Sequence, residues 1–300
     1  MKRERRLGAA LVLNLGIVGL QVVFGILAHS VGLLADAGHN LTDVAAVALS
    51  LYAVRLSRRP ADDRRSFGYH RSTVLVAQAN AAAILVVTAL VAYEGVRRLL
   101  HPVAVNAAIV IPVAAAGVAL NLMAAAFLHD ESADLNMRSA LLHMLGDAAT
   151  GLGVVLAGMV IAVTGGWYRL DPVVSLVIGL VIGWRALQLL RATTSVLLES
   201  TPLGIAADDI GRAIEAIPGV ESVHDLHAWS LSSELHALSA HVVLLGEPSL
   251  EQAQAVCQDV RETLARDFDV THTTLQAEVR HCRPDGHGAC VLSPVPLAAG

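Results

Sequence analysis

In "LLADAGHNLTDVAAVALS", residues 33–50, Asp36, His39, Asn40 and Asp43 interrupt a run otherwise fit for lipid. A charged side chain at mid-bilayer costs roughly 3 kcal/mol even on lenient insertion scales, so such residues must face protein or water and are read first as functional. His39 and Asp43 stand four residues apart. On a helix their side chains leave one face a turn apart, close enough to hold a single ion, and Asp36 lies on the same side. Hydrogen bonding between helices is the competing explanation for one such pair. A second pair weakens it: in "LLHMLGDAATGLG", His143 and Asp147 repeat the same spacing at similar membrane depth. Together, two imidazoles and two carboxylates make a four-ligand tetrahedral shell of the kind Zn2+ prefers, and Cd2+ or Co2+ fits the same donors. Monovalent copper would want soft sulfur ligands, and calcium more oxygens.

The elements that must position these residues are membrane helices. Composition is 55% hydrophobic and 16% charged, with a mean hydropathy of +0.59, beyond what a water-soluble domain usually carries. The net charge of -5 favours no nucleic acid as partner. A span needs about 20 mostly apolar residues. Six stretches qualify: Leu7 to Ala28, Val31 to Leu56, Ser72 to Tyr93, Ala107 to Leu128, Ala140 to Gly165 and Pro172 to Leu190. "MKRERR" leads a run of full spanning length followed at once by another, which makes it a span rather than a cleaved signal peptide. Arg and Lys gather at residues 2–6 and again at 55–71, between spans two and three. Positive segments stay inside, so an even number of spans places both termini in the cytoplasm, with Arg97, Arg98 and Arg169 weakening the bias without reversing it.

After "LLESTP" charged residues appear regularly and the apolar runs shorten. "AADDIGRAIEAIPGV" and "LEQAQAVCQDVRETLARDF" have helical spacing, while "SVHDLHAW", "LHALSAHVVLL" and "HTTLQAEV" read as strands. The order αββαβ predicts a small ferredoxin-like α+β domain, whose modest core gains from association, so a dimer is expected. The predicted organisation is a six-helix transmembrane domain over 1–195, a metal-binding and dimerisation domain over 200–282, and a flexible tail over 283–300.

These residues resemble the cation diffusion facilitators, which export divalent metal in exchange for protons. Besides the paired motifs, "HSVGLLADAGHNLTD", "SFGYHR", "RLDPVVSLVIG" and "HDLHAWSLSSELHALSAHVV" look like that family's recurring segments, in order, over nearly the whole chain. The resemblance implies a homodimer of six-span protomers, with His39, Asp43, His143 and Asp147 as direct ligands between spans two and five. It also implies a regulatory zinc site in the cytoplasmic domain, with His224, His241 and Glu278 as best candidates and His272 next; polar sheet surface is the equal alternative for each. Some members place another metal site between spans two and three. Here "PADDRRSFGYH" offers Asp62 and Asp63, but Arg65 and Tyr69 stand where histidines would be expected, and a solvated loop balancing its arginines is the better reading.

The tail "EVRHCRPDGHGAC" holds His281, Cys282, His287 and Cys290, enough donors for one tetrahedral ion, against the alternative of a disordered end. A disulfide between Cys282 and Cys290 is disfavoured in a reducing cytoplasm. Cys257 shares a helical face with Val256, Val260 and Leu264 and is expected to be buried. Asp171, before Pro172, reads as an N-cap of its own helix, and His29 and His101 as interfacial residues.

The expected activity is Zn2+/H+ antiport by alternating access. Protons and zinc compete for the same carboxylate and imidazole atoms, and an unperturbed histidine titrates near pH 6.5. Two rival classes use the same ligands. An intramembrane metallohydrolase needs an open coordination position and a general base such as the glutamate of His-Glu-x-x-His, and neither His motif carries one. A membrane metal sensor would bind without moving ions. The alanine- and arginine-rich composition and the absence of a histidine-rich loop between spans four and five lean toward a prokaryotic cytoplasmic (inner) membrane.

Overall fold

The computed structural model describes residues 2–129, 135–233 and 235–280, with side chains placed for 15–126, 138, 141–233 and 235–280. Six long helices come first: α1 (Lys2–Leu27), α2 (Val31–Ser57), α3 (Ser72–Leu100), α4 (Ala107–His129), α5 (Leu135–Thr164) and α6 (Leu170–Leu197). Among the described residues, α3 to α6 hold apolar stretches long enough to cross a membrane and Leu15–Leu27 of α1 is a shorter apolar stretch, while α2 carries the polar residues between 36 and 43. Large apolar side chains such as Leu90, Val163 and Leu180 point out of the bundle, as lipid-facing residues must.

The helices outrun the apolar stretches that predict them. At 29 residues α3 is about 44 Å long, against a hydrocarbon core of about 30 Å, so its last turns leave the lipid. There Glu94 pairs with Arg97 at 2.8 Å and with Arg98 at 2.7 Å. Small residues let the helices approach. A Cβ added at Gly151 of α5 would stand 2.9 Å from the Val118 side chain of α4, and one at Gly25 of α1 would stand 2.8 Å from Leu34 of α2.

Asp171 corrects one expectation. It lies in the first turn of α6, yet its side chain caps α2 instead. Its carboxylate accepts from Ser30 Oγ at 2.5 Å, from the Val31 backbone N–H at 2.7 Å and from that of Gly32 at 3.3 Å. The reason is the left-handed turn at His29, φ 53°, which ends α1 and leaves the first N–H groups of α2 without helical partners. Ser30 alone cannot serve them all, and the nearest carboxylate, 2% exposed, comes from α6.

The soluble elements are α7 (Ala207–Glu215), β1 (Val220–Ser230), β2 (His236–Leu244), α8 (Leu250–Phe268) and β3 (Val270–Glu278), in the predicted αββαβ order. The sheet runs β1-β2-β3, antiparallel between the first two and parallel between the last two. Leu238, Ala240, Val242 and Leu244 of central β2 pack with Ile210 and Ile214 of α7 and with Val260 and Leu264 of α8. Alternation along β2 therefore turns His241 to the face away from the helices. Helix α8 starts in a capping box: Ser249 Oγ accepts from the Gln252 backbone N–H at 3.3 Å, while Gln252 accepts from that of Ser249 at 2.8 Å. Cys257 of α8 is buried, and burial pushes its thiol above the usual cysteine range.

Contacts divide the chain into two compact units, residues 1–52 with 76–191, and residues 53–75 with the chain from 192 onward. The loop between α2 and α3 thus belongs with the soluble elements.

Candidate metal sites

The first site joins α2 and α5. His39 Nε2 stands 3.1 Å from Asp147 Oδ1 and 3.6 Å from Asp43 Oδ2. His143 Nε2 stands 3.4 Å from Asp43 Oδ2 and 3.6 Å from Asp147 Oδ2. Each carboxylate is thus shared by a histidine of its own helix and one of the other, and the two rings meet edge to face at a centroid distance of 6.2 Å. The ligand atoms of His39, Asp43 and Asp147 all lie within 4.8 Å of one another, and His143, 38% exposed at its side chain, joins through both carboxylates. A tetrahedral ion with bonds of about 2.0 Å separates its ligands by about 3.3 Å, a spacing that suits His39, Asp43 and Asp147 around one ion, with His143 beside the group. Asp43 Oδ2 is buried without a hydrogen-bond partner, a cost that a bound cation or proton removes.

A second layer of polar groups holds α2 behind this site, and sequence reasoning noted only part of it. Asp36 Oδ2 accepts from Gln21 Nε2 of α1 at 2.6 Å, and Gln21 Oε1 accepts from Asn40 Nδ2 at 3.2 Å. Gln21 is fully buried, and the signal that could have found it is a lone amide in an apolar span. Thr42 Oγ1 and Thr150 Oγ1 donate to the backbone carbonyls of His39 and Asp147, at 2.7 and 2.8 Å.

A second cluster lies on the open sheet face. His224 and His241 are directly opposed across β1 and β2, and Glu278 lies on β3 two residues beyond the partner of His241. Glu278 bridges the two rings: Oε2 is 3.3 Å from His224 Nε2 and Oε1 is 3.0 Å from His241 Nδ1. These residues form a three-ligand group, and Glu278 Oε2 is buried without a hydrogen bond, so the donor set fits a divalent ion such as zinc. His272 is not part of it. It sits six residues before Glu278, about 20 Å along β3, where its ring meets Phe67 at 5.1 Å. Asp225 was missed. A bulge between His224 and His227 gives it φ 49° and turns its carboxylate to 3.1 Å from His227 Nε2 and 3.6 Å from His241 Nε2. Cys282 and Cys290, with His281 and His287, lie outside the described residues.

In the loop between α2 and α3, Asp62 is engaged by its neighbours. Arg65 Nη1 stands 3.6 Å from Asp62 Oδ2 and donates to Tyr69 Oη at 3.1 Å, with its guanidinium 4.7 Å over the tyrosine ring. The Arg64 backbone N–H, 2.9 Å from Asp62 Oδ1, and then Arg65 hold the Asp62 carboxyl below the usual carboxylate range.

Two paired motifs facing each other in a helical bundle, joined to an αββαβ domain, define a multi-pass membrane transporter of divalent metal. Residues 7–198 match the family described as "Cation efflux transmembrane domain" and residues 202–280 the one described as "Cation efflux protein, cytoplasmic domain". The chain belongs to the cation efflux family. It is 35% identical to the metal cation efflux system protein CzcD of Cupriavidus metallidurans, over 93% of this chain and 88% of that one. It is 35% identical to the zinc transporter ZitB of Escherichia coli, over 94% and 90%. With the cadmium, cobalt and zinc/H(+)-K(+) antiporter of Bacillus subtilis it shares 30% identity over 92% and 89%. The family and these relatives are transporters, not enzymes, and the C-terminal domain is cytoplasmic.

Proposed function

We propose that the protein expels Zn2+ from the cytoplasm in exchange for protons by alternating access, with His39, Asp43, His143 and Asp147 as the transport site. The observation that carries this reading is the crossed pairing of the two motifs, which gives four nitrogen–oxygen spacings between 3.1 and 3.6 Å. Every donor in that shell also binds a proton, so ion and protons exclude one another, and a proton-rich outer side favours release of metal outward. Cd2+ and Co2+ fit the same donors, and a relative is named for cadmium, cobalt and zinc. The exchange of protons is likewise supported by that name.

The protein works as a homodimer in a bacterial inner membrane with both termini cytoplasmic. The small αββαβ core and the basic segments at residues 2–6 and 55–71 support this arrangement. His224, His241 and Glu278 hold a regulatory zinc ion in the cytoplasmic domain, and Asp225 orients His241. Reconstituted vesicles test the reading: zinc flux that requires a pH gradient supports antiport, and zinc binding without flux would make the protein a sensor.

A further inference from the structure

A cavity of about 790 Å³ opens between the loop joining α2 to α3 and the strand β1. Its loop wall carries Arg64, His70 and Arg71, and its strand wall carries His227 and Trp229. Glu199 is the one carboxylate residue among the described lining residues, and it is engaged 2.7 Å from Arg71. Arg65, also at the wall, is held by Asp62 and Tyr69. The Arg64 guanidinium makes no hydrogen bond or ion pair among the described residues; only its backbone N–H is used, on Asp62. With Asp62 on Arg65 and Glu199 on Arg71, the Arg64 guanidinium is the arginine at this wall with no ion pair among the described residues.

We propose that this cavity binds a phosphate-bearing anion, with Arg64 as its anchor. A planar guanidinium matches two phosphate oxygens at once, and Ser66 and Thr201 add hydroxyl donors to the same lining. Inorganic phosphate alone would leave most of the volume empty, so the ligand is larger, with Trp229 as a flat wall beside it. Two sources supply that chemistry. The loop follows α2 and leads into α3, so an anionic phospholipid is one source of such a phosphate, and a soluble polyphosphate compound is the other. The site is independent of the transport reading, since it shares no residue with either metal cluster.

The test uses the full chain carrying Trp167→Phe and Trp184→Phe, which leaves Trp229 as the only tryptophan. Its emission is followed in phosphatidylcholine bilayers, in the same bilayers with increasing phosphatidylglycerol, and in phosphatidylcholine bilayers with soluble pyrophosphate. A saturable change with phosphatidylglycerol alone identifies a lipid headgroup; one with pyrophosphate identifies a soluble ligand. Arg64→Gln should weaken the response by about tenfold or more and Arg64→Lys by less, while Arg266→Gln, an equal loss of charge on α8, should leave it unchanged. No saturable change with either probe, an undiminished response in Arg64→Gln, or an equal loss in Arg266→Gln would overturn the proposal.

Discussion

Asp171 and Val31, 140 residues apart, are joined by a 2.7 Å hydrogen bond that ties the start of α6 to the first turn of α2. Because α2 carries His39 and Asp43, Asp171, outside that cluster, helps set where the proposed ligands stand. Asp171→Ala strips the acceptor from Ser30, Val31 and Gly32 in a buried place, a loss of about 1–3 kcal/mol. The variant should unfold at lower temperature in detergent than the parent, and Asp171→Asn, which keeps one carbonyl oxygen, should fall between them. Equal melting in all three would show that the cap carries no weight.

Asp147→Ala removes a carboxylate that stands beside both histidines. Zinc uptake by proteoliposomes should disappear while the variant elutes from gel filtration like the parent, because both a ligand and a proton acceptor are lost without disturbing the core. Uptake at the parental rate would refute the assigned site.

His39→Asp keeps the four-residue spacing but exchanges a borderline nitrogen donor for a hard oxygen. Cadmium or manganese should gain on zinc in initial uptake rates, and zinc flux should decline more steeply under acidic conditions, since a further carboxylate joins the shell. Unchanged rate ratios among the three metals at matched pH gradients would exclude His39 as a ligand.

Glu278→Gln breaks the bridge between His224 and His241. Equilibrium dialysis should find about one zinc ion fewer per protomer, while the order of transported metals stays as in the parent. A changed order would place part of the selectivity in the cytoplasmic domain.

Cys257 gives a prediction in pH. Burial raises its thiol above the ordinary range, so less thiolate is present at neutral pH than for a free cysteine. In a Cys282→Ser, Cys290→Ser background, maleimide labelling of the folded protein should be slow at neutral pH and rise about tenfold per pH unit. Denaturant should remove the protection, and fast labelling of the native protein at neutral pH would contradict the burial.

The two His-x-x-x-Asp motifs were legible because their signal is local: the spacing needs only helix geometry, and its cost in lipid marks it. The order αββαβ was legible for the same reason, from periodicity within each segment. What the sequence hid is what depends on distant partners. Asp171 stands beside Pro172 and reads as a cap for its own helix, but the unmet N–H groups it serves belong to a helix that begins 140 residues earlier. The bulge that aims Asp225 at His241 is a register fault between two strands, which neither strand announces alone. His272 shows the opposite error. The family resemblance put it next after Glu278, but distance along β3 keeps the two apart.

The Arg65–Asp62–Tyr69 arrangement gives the loop between α2 and α3 a counter-ion that is covalently its own. A guanidinium keeps its proton throughout the physiological range, so Arg65 offers Asp62 a partner that depends on neither pH nor metal, although both side chains are about half exposed and the pair adds little to stability. A loop closed by a borrowed ion would slacken as that ion ran out and so act as a gauge of supply; the Arg65–Asp62 contact has no such dependence.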